Sequence, residues 1–174
     1  MRIERVAGNL TDHYDPRNKV LRLSDATYGQ CSVAAVGVAA HECGHAIQHA
    51  RGYAPLQFRS VLVPVANFGS MIAWPLIVLG LFINSQSSAM IINIGILAFS
   101  LAVLFQLVTL PVEYNASGRA VRILAETGMM QGEEIVATKK VLNAAALTYV
   151  ASAAAAILQL VRILILTGGR RRDD

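Results

Sequence analysis

Polar and apolar positions divide the chain into four blocks. Residues 1–59 are mostly polar, 60–112 carry no charged residue, 113–143 turn polar again, and 144–174 are an apolar run closed by a basic tail. Within the uncharged block, 61–83 and 90–112 each have about the 20 residues that cross a bilayer core. The pattern therefore predicts a transmembrane hairpin turned at Asn84-Ser85-Gln86-Ser87-Ser88. Pro64 and Pro75 are expected to kink the first span, which membrane helices tolerate where neighbours satisfy the freed backbone groups. Residues 144–166, interrupted only by Gln159 and Arg162, predict a third span.

The polar blocks give shorter elements. Asp12-His13-Tyr14-Asp15-Pro16-Arg17-Asn18 is rich in turn formers. Lys19 to Ser24 alternates imperfectly, as a short strand does, and a free edge on that strand would suit pairing with an extended peptide. A small-residue apolar run, 32–40, predicts a buried helix over about 31–50, stopped by Arg51-Gly52 and Pro55. A further helix is expected to start at Glu113 and close near Gly128, before a short one carrying Glu133, Glu134, Lys139 and Lys140.

Composition sharpens the membrane reading. Hydrophobic residues make up 55% and charged residues 15%, against about 25% charged in soluble domains. The mean hydropathy is +0.50. A net charge of +4 raises the question of nucleic acid, but no Lys/Arg stripe with interleaved aromatics is present, so the basic residues read as flanking charge of membrane spans. The two cysteines, Cys31 and Cys43, are too few for a disulfide framework and read as free, buried thiols of a reducing compartment. Residues 1–30 are polar and show no secretory signal.

The candidate chemistry is His41-Glu42-Cys43-Gly44-His45, an H-E-x-x-H pattern inside the predicted buried helix. Residues four apart lie on one helical face about 6 Å apart along the axis, which suits two imidazoles holding one Zn2+. Glu42, beside the first ligand, is placed to take a proton from an activated water, and Gly44 leaves room for a close approach. His49 continues the ridge, but lies about 12 Å from His41 along a straight helix, so it can be a supporting or structural residue and not a ligand of the same ion.

A catalytic zinc generally takes three protein ligands. Glu113 is the leading candidate for the third, being the first charged residue after a hairpin that returns the chain to the side it left; Glu126, Glu133 and Glu134 compete from more polar surroundings. Arg51, Arg59, Arg119, Arg122, Lys139 and Lys140 flank the spans on that side and make it cytoplasmic. Arg170-Arg171-Arg172 conflict with a third full span, unless 144–166 is re-entrant or another feature sets orientation. On chemistry alone, His13, Tyr149 and Arg119 are candidate donors to an oxyanion.

Three stretches, H-E-C-G-H-A-I-Q-H, P-V-E-Y-N-A-S and L-N-A-A-A-L-T-Y-V-A, together with Leu10-Thr11-Asp12-His13-Tyr14-Asp15-Pro16, resemble the YugP-like family of bacterial membrane zinc metallopeptidases over nearly the whole chain. More distantly the chain looks like gluzincins of the HtpX and CAAX-protease type. The resemblance implies a mainly α, multi-pass membrane protein with a gluzincin-like zinc helix pair and a short β segment. It implies His41, His45 and Glu113 as zinc ligands, Glu42 as catalytic base, and Ser117 at a position where related enzymes carry a supporting Asp. It also implies an N-terminal apolar anchor before the T-D-H-Y-D-P stretch, which this chain, starting at Met1-Arg2-Ile3, does not carry. The expected activity is hydrolysis of protein or peptide substrates at the cytoplasmic membrane; the alternative is a structural or regulatory zinc site without turnover.

Overall fold

The computed structural model describes residues 1–83 and 87–168; residues 84–86 of the expected hairpin turn, and the basic tail from 169, lie outside it. The elements run β1 (Arg2–Val6), β2 (His13–Asp15), β3 (Val20–Ser24), α1 (Val33–Ala50), α2 (Ala54–Phe82), α3 (Ser88–Glu126) and α4 (Glu133–Gly168). The chain divides into two units, one of Met1–Gln57 with Pro111–Thr148, the other of Phe58–Leu110 with Tyr149–Asp174.

In the first unit the polar N-terminal block forms a three-stranded sheet of order β1-β3-β2, with β1 parallel and β2 antiparallel to β3. The expected strand thus lies at the centre of the sheet and has no free edge. Its Val20, Leu21, Leu23 and Ser24 are buried, as a strand covered on both faces requires. The free edge near the motif belongs instead to β2, which packs on α1. Asp15 makes the β2–β3 turn: its Oδ1 accepts from the backbone N–H groups of Arg17 and Asn18 at 2.9 and 3.1 Å. Arg22 ties the sheet across both partners, bonding Asp15 at 2.7 Å and Glu4 at 3.3 Å.

Helix α1 starts where Ser32 caps it, Oγ accepting from Ala35 N–H at 3.2 Å. It ends in a Schellman turn: Gly52, at φ +62°, donates to His49 O, and Tyr53 donates to Gln48 O. Its buried residues are Ala35, Gly37, Glu42, Gly44 and Gln48. The facing ridge on α3 is Val112, Ala116, Ala120 and Leu124, spaced by four and all buried. A Cβ on Gly44 would meet Ala116 O at 2.5 Å, so the room this glycine leaves is filled by the α3 backbone. Cys43 is half-buried, whereas Cys31, expected inside, is exposed directly before the cap.

The second unit carries the apolar parts of α2, α3 and α4, each long and apolar enough to cross a membrane. Gly69 lies against Ala98 and Gly95 against Ile77 and Ala73, the small-residue contact by which membrane helices approach. Val61, Phe68, Met71, Leu97, Leu158 and Ile165 are exposed, an apolar surface suited to lipid. The protein is a mainly helical membrane protein.

Two expected breaks are absent. α3 passes through Pro111 and Glu113 without ending, and α4 runs from Glu133 to Gly168 as one helix. The change from apolar to charged residues marks a change of surroundings, and no glycine or proline interrupts α4 between Glu133 and Thr167. An uninterrupted α4 leaves no place for a re-entrant turn within it.

Candidate active site

The site lies within the first unit, where α1 meets the part of α3 after Pro111. Helical spacing puts the His41 and His45 rings on one face, 4.7 Å apart and edge to face. Glu113, 2% exposed, points its Oε2 at both, 3.2 Å from His41 Nε2 and 3.6 Å from His45 Nε2; the two Nε2 atoms are 3.1 Å apart. A tetrahedral ion with bonds near 2.0–2.1 Å needs ligand atoms about 3.3 Å from each other. The three separations bracket that value, and two imidazoles with one carboxylate are a donor set zinc accepts. Among the described residues, the three competing glutamates are not part of this group: Glu126, Glu133 and Glu134 are exposed.

The opposite ring nitrogens are also held. His41 Nδ1 lies 3.0 Å from Ser117 Oγ. His45 Nδ1 lies 3.0 Å from Gln48 Oε1. Gln48 is fully buried, and its Nε2 donates to Val112 O at 2.8 Å and Asn115 Oδ1 at 3.0 Å. Both are acceptors, which fixes the amide so that Oε1 faces His45. His45 Nδ1 must then carry the proton, leaving the Nε2 lone pair free for a metal. The sequence reading missed Gln48 and Asn115. The only signal was a polar residue three positions after His45, on the face that carries the motif inward.

Glu42 is buried beside the histidines and accepts a hydrogen bond from the backbone N–H of Tyr14 in β2. Burial pushes its pKa up, against the pull of His45 and His41, while the Glu113 charge adds to the rise. Burial alone would lower the His45 pKa, but the hydrogen bond and charge of Glu113 outweigh it and the net shift is upward.

The remaining candidates make contacts of their own. His49 bonds Tyr14 Oη through Nδ1 at 3.0 Å, which fastens α1 to β2 away from the ligand cluster. His13 is exposed, its Nδ1 2.8 Å from Thr11 O. Arg119 gives its Nε to Asn115 Oδ1 at 2.7 Å and lies over the Tyr53 ring, so it braces the Gln48 network. Tyr149 belongs to the second unit.

Three helices able to cross a bilayer, with two histidines and a glutamate grouped for one metal ion, define a membrane zinc protein. Residues 1–168 match the family described as "Putative neutral zinc metallopeptidase", and the chain belongs to that family. It is 47% identical over 169 residues to "Putative membrane protease YugP" of Bacillus subtilis (strain 168), an alignment covering 97% of this chain and 74% of that protein. No solved structure matches it.

Proposed function

We propose that the protein is a membrane-bound zinc endopeptidase of the gluzincin type, with His41, His45 and Glu113 as ligands and Glu42 as general base. The observation that carries this is the convergence of Glu113 Oε2 on the two Nε2 atoms, with Glu42 buried beside them. Zinc, when bound, supplies the Lewis acidity that activates water and polarises a scissile carbonyl. Glu42 receives the water proton and delivers it to the departing amine. Its bond from Tyr14 N–H holds the carboxylate at the edge of β2. That edge, and not β3, is the place for an extended peptide to lie. Burial favours the protonated carboxyl, the form needed for the second transfer.

The charges of Arg51, Arg59, Arg119, Arg122, Lys139 and Lys140 support a cytoplasmic site. Three measurements test the reading on the detergent-purified chain. Wild type should hold about one zinc, as a single three-ligand site requires, and Glu113→Ala and His45→Ala should lose it. Glu42→Gln should keep zinc and lose cleavage. Zinc retained by Glu113→Ala would remove the third-ligand assignment, and turnover by Glu42→Gln would remove the base. Zinc bound by a wild type that cleaves no peptide would favour a structural or regulatory site.

A further inference from the structure

A concave feature adjoins the ligand cluster without sharing its chemistry. Within the first unit, α3 and α4 enclose an open cleft of about 390 Å3 lined by Tyr114, Ser117, Arg122, Lys139, Leu142 and Asn143, among others. Neither Glu42 nor any of the three ligand candidates lines it. Ser117 is the link, and it meets His41 at Nδ1, the ring nitrogen opposite the one facing Glu113. The cleft therefore lies behind His41, away from the position of a scissile bond, which argues against a substrate subsite.

Its character is cationic. Arg122 and Lys139 are exposed at its rim, and neither makes an ion pair among the described residues. No acidic side chain lines it, while the Tyr114 hydroxyl and the Asn143 amide add neutral donors. Its level is the third observation. Tyr114 stands two residues after the uncharged stretch that ends at 112, and Asn143 directly precedes the apolar run that starts at 144. Both helices thus enter the cleft where their bilayer-crossing runs stop, at the depth of the headgroup layer. Buried Leu142 gives it an apolar wall beside the cations.

We propose that this cleft binds the phosphate of an anionic phospholipid, held by Arg122 and Lys139 with Tyr114 and Asn143 as further donors. A free phosphate offers the same charge, but the position at the membrane level and the apolar wall favour the lipid. This site needs neither zinc nor catalysis.

The test is native mass spectrometry of the full chain in neutral detergent, titrated with phosphatidylglycerol or phosphatidylcholine. Wild type should retain the anionic lipid preferentially. Each cation near an anionic lipid contributes about fivefold in affinity, so Arg122→Gln with Lys139→Gln should weaken retention by roughly 25-fold. Lys140→Gln, exposed but outside the cleft, should behave as wild type. Circular dichroism of the double variant should match wild type, because both side chains are exposed. Equal retention of the two lipids, or unchanged retention by the folded double variant, would overturn the proposal. Displacement of the lipid by equimolar inorganic phosphate would assign the cleft to a free anion and overturn its lipid identity.

Discussion

Gln48 Oε1 and His45 Nδ1 lie 3.0 Å apart, and the acceptors on the other side of the Gln48 amide leave that oxygen no alternative orientation. A carboxamide therefore does for His45 what a carboxylate does in many metal sites: it sets the tautomer and the ring angle. Replacing Gln48 by Leu removes the acceptor while keeping similar volume. Zinc affinity, measured by competition with a chelator, should fall by about 10- to 100-fold. Gln48→Glu restores an acceptor for His45 and should recover part of the loss. Equal affinities in the Leu variant and wild type would show that Gln48 has no part in orienting the ligand.

Gly44 is the second point of leverage. Its missing Cβ lets the α1 and α3 backbones approach so closely that an added methyl would sit 2.5 Å from Ala116 O and 3.1 Å from Ala116 Cα. Backbone atoms of a helix cannot give way as a side chain tip can, so Gly44→Ala must spread the pair that brings His41 and His45 to Glu113. Overpacking of this kind costs about 1–3 kcal/mol, and zinc content should fall with it. Gly118→Ala is the matched control, because nothing lies within 4 Å of its added Cβ. There the better helix propensity should leave stability unchanged or raise it by up to about 1 kcal/mol. Similar behaviour of the two variants would refute the close-approach explanation.

The parts of this structure that the sequence made legible are those with a local physical cause. A bilayer excludes charge, so the absence of any charged residue from 60 to 112 announced two spans. One helical turn separates His41 from His45, so their shared face followed from spacing. What escaped was set by partners distant in the chain. β1 is a polar-looking R-I-E-R-V segment whose pairing is decided by β3, 18 residues later, and that pairing also turns β3 from an edge strand into a central one. Gln48 finds its partners 64 and 67 residues away. The continuity of α3 past Val112 was hidden because a jump in hydropathy looks like an element boundary, although it changes nothing in the backbone hydrogen-bond ladder.

Acid sensitivity should concentrate in the small sheet. The Asn18 side chain and backbone N–H, with Arg22 and the Arg17 N–H, hold the Asp15 carboxyl far below the usual carboxylate range. The Gly8 N–H and Arg5 lower Asp25 in the same way. A depressed folded pKa contributes stability that is fully present above the unfolded value of about 4 and is lost as pH falls through the folded one. Asp15→Asn keeps the shape but removes the charge. Hydrogen exchange of the peptide covering 12–24 should therefore be faster in the variant than in wild type at neutral pH. The difference should begin to narrow as pH drops below about 4, where the unfolded carboxyl takes up its proton, and should close only as pH approaches the much lower folded value. Because Asp15 is only half-buried, added salt should narrow it too. A difference that stays constant across this pH range would mean that Asp15 acts through shape alone, and that the turn between β2 and β3 does not depend on its ionisation.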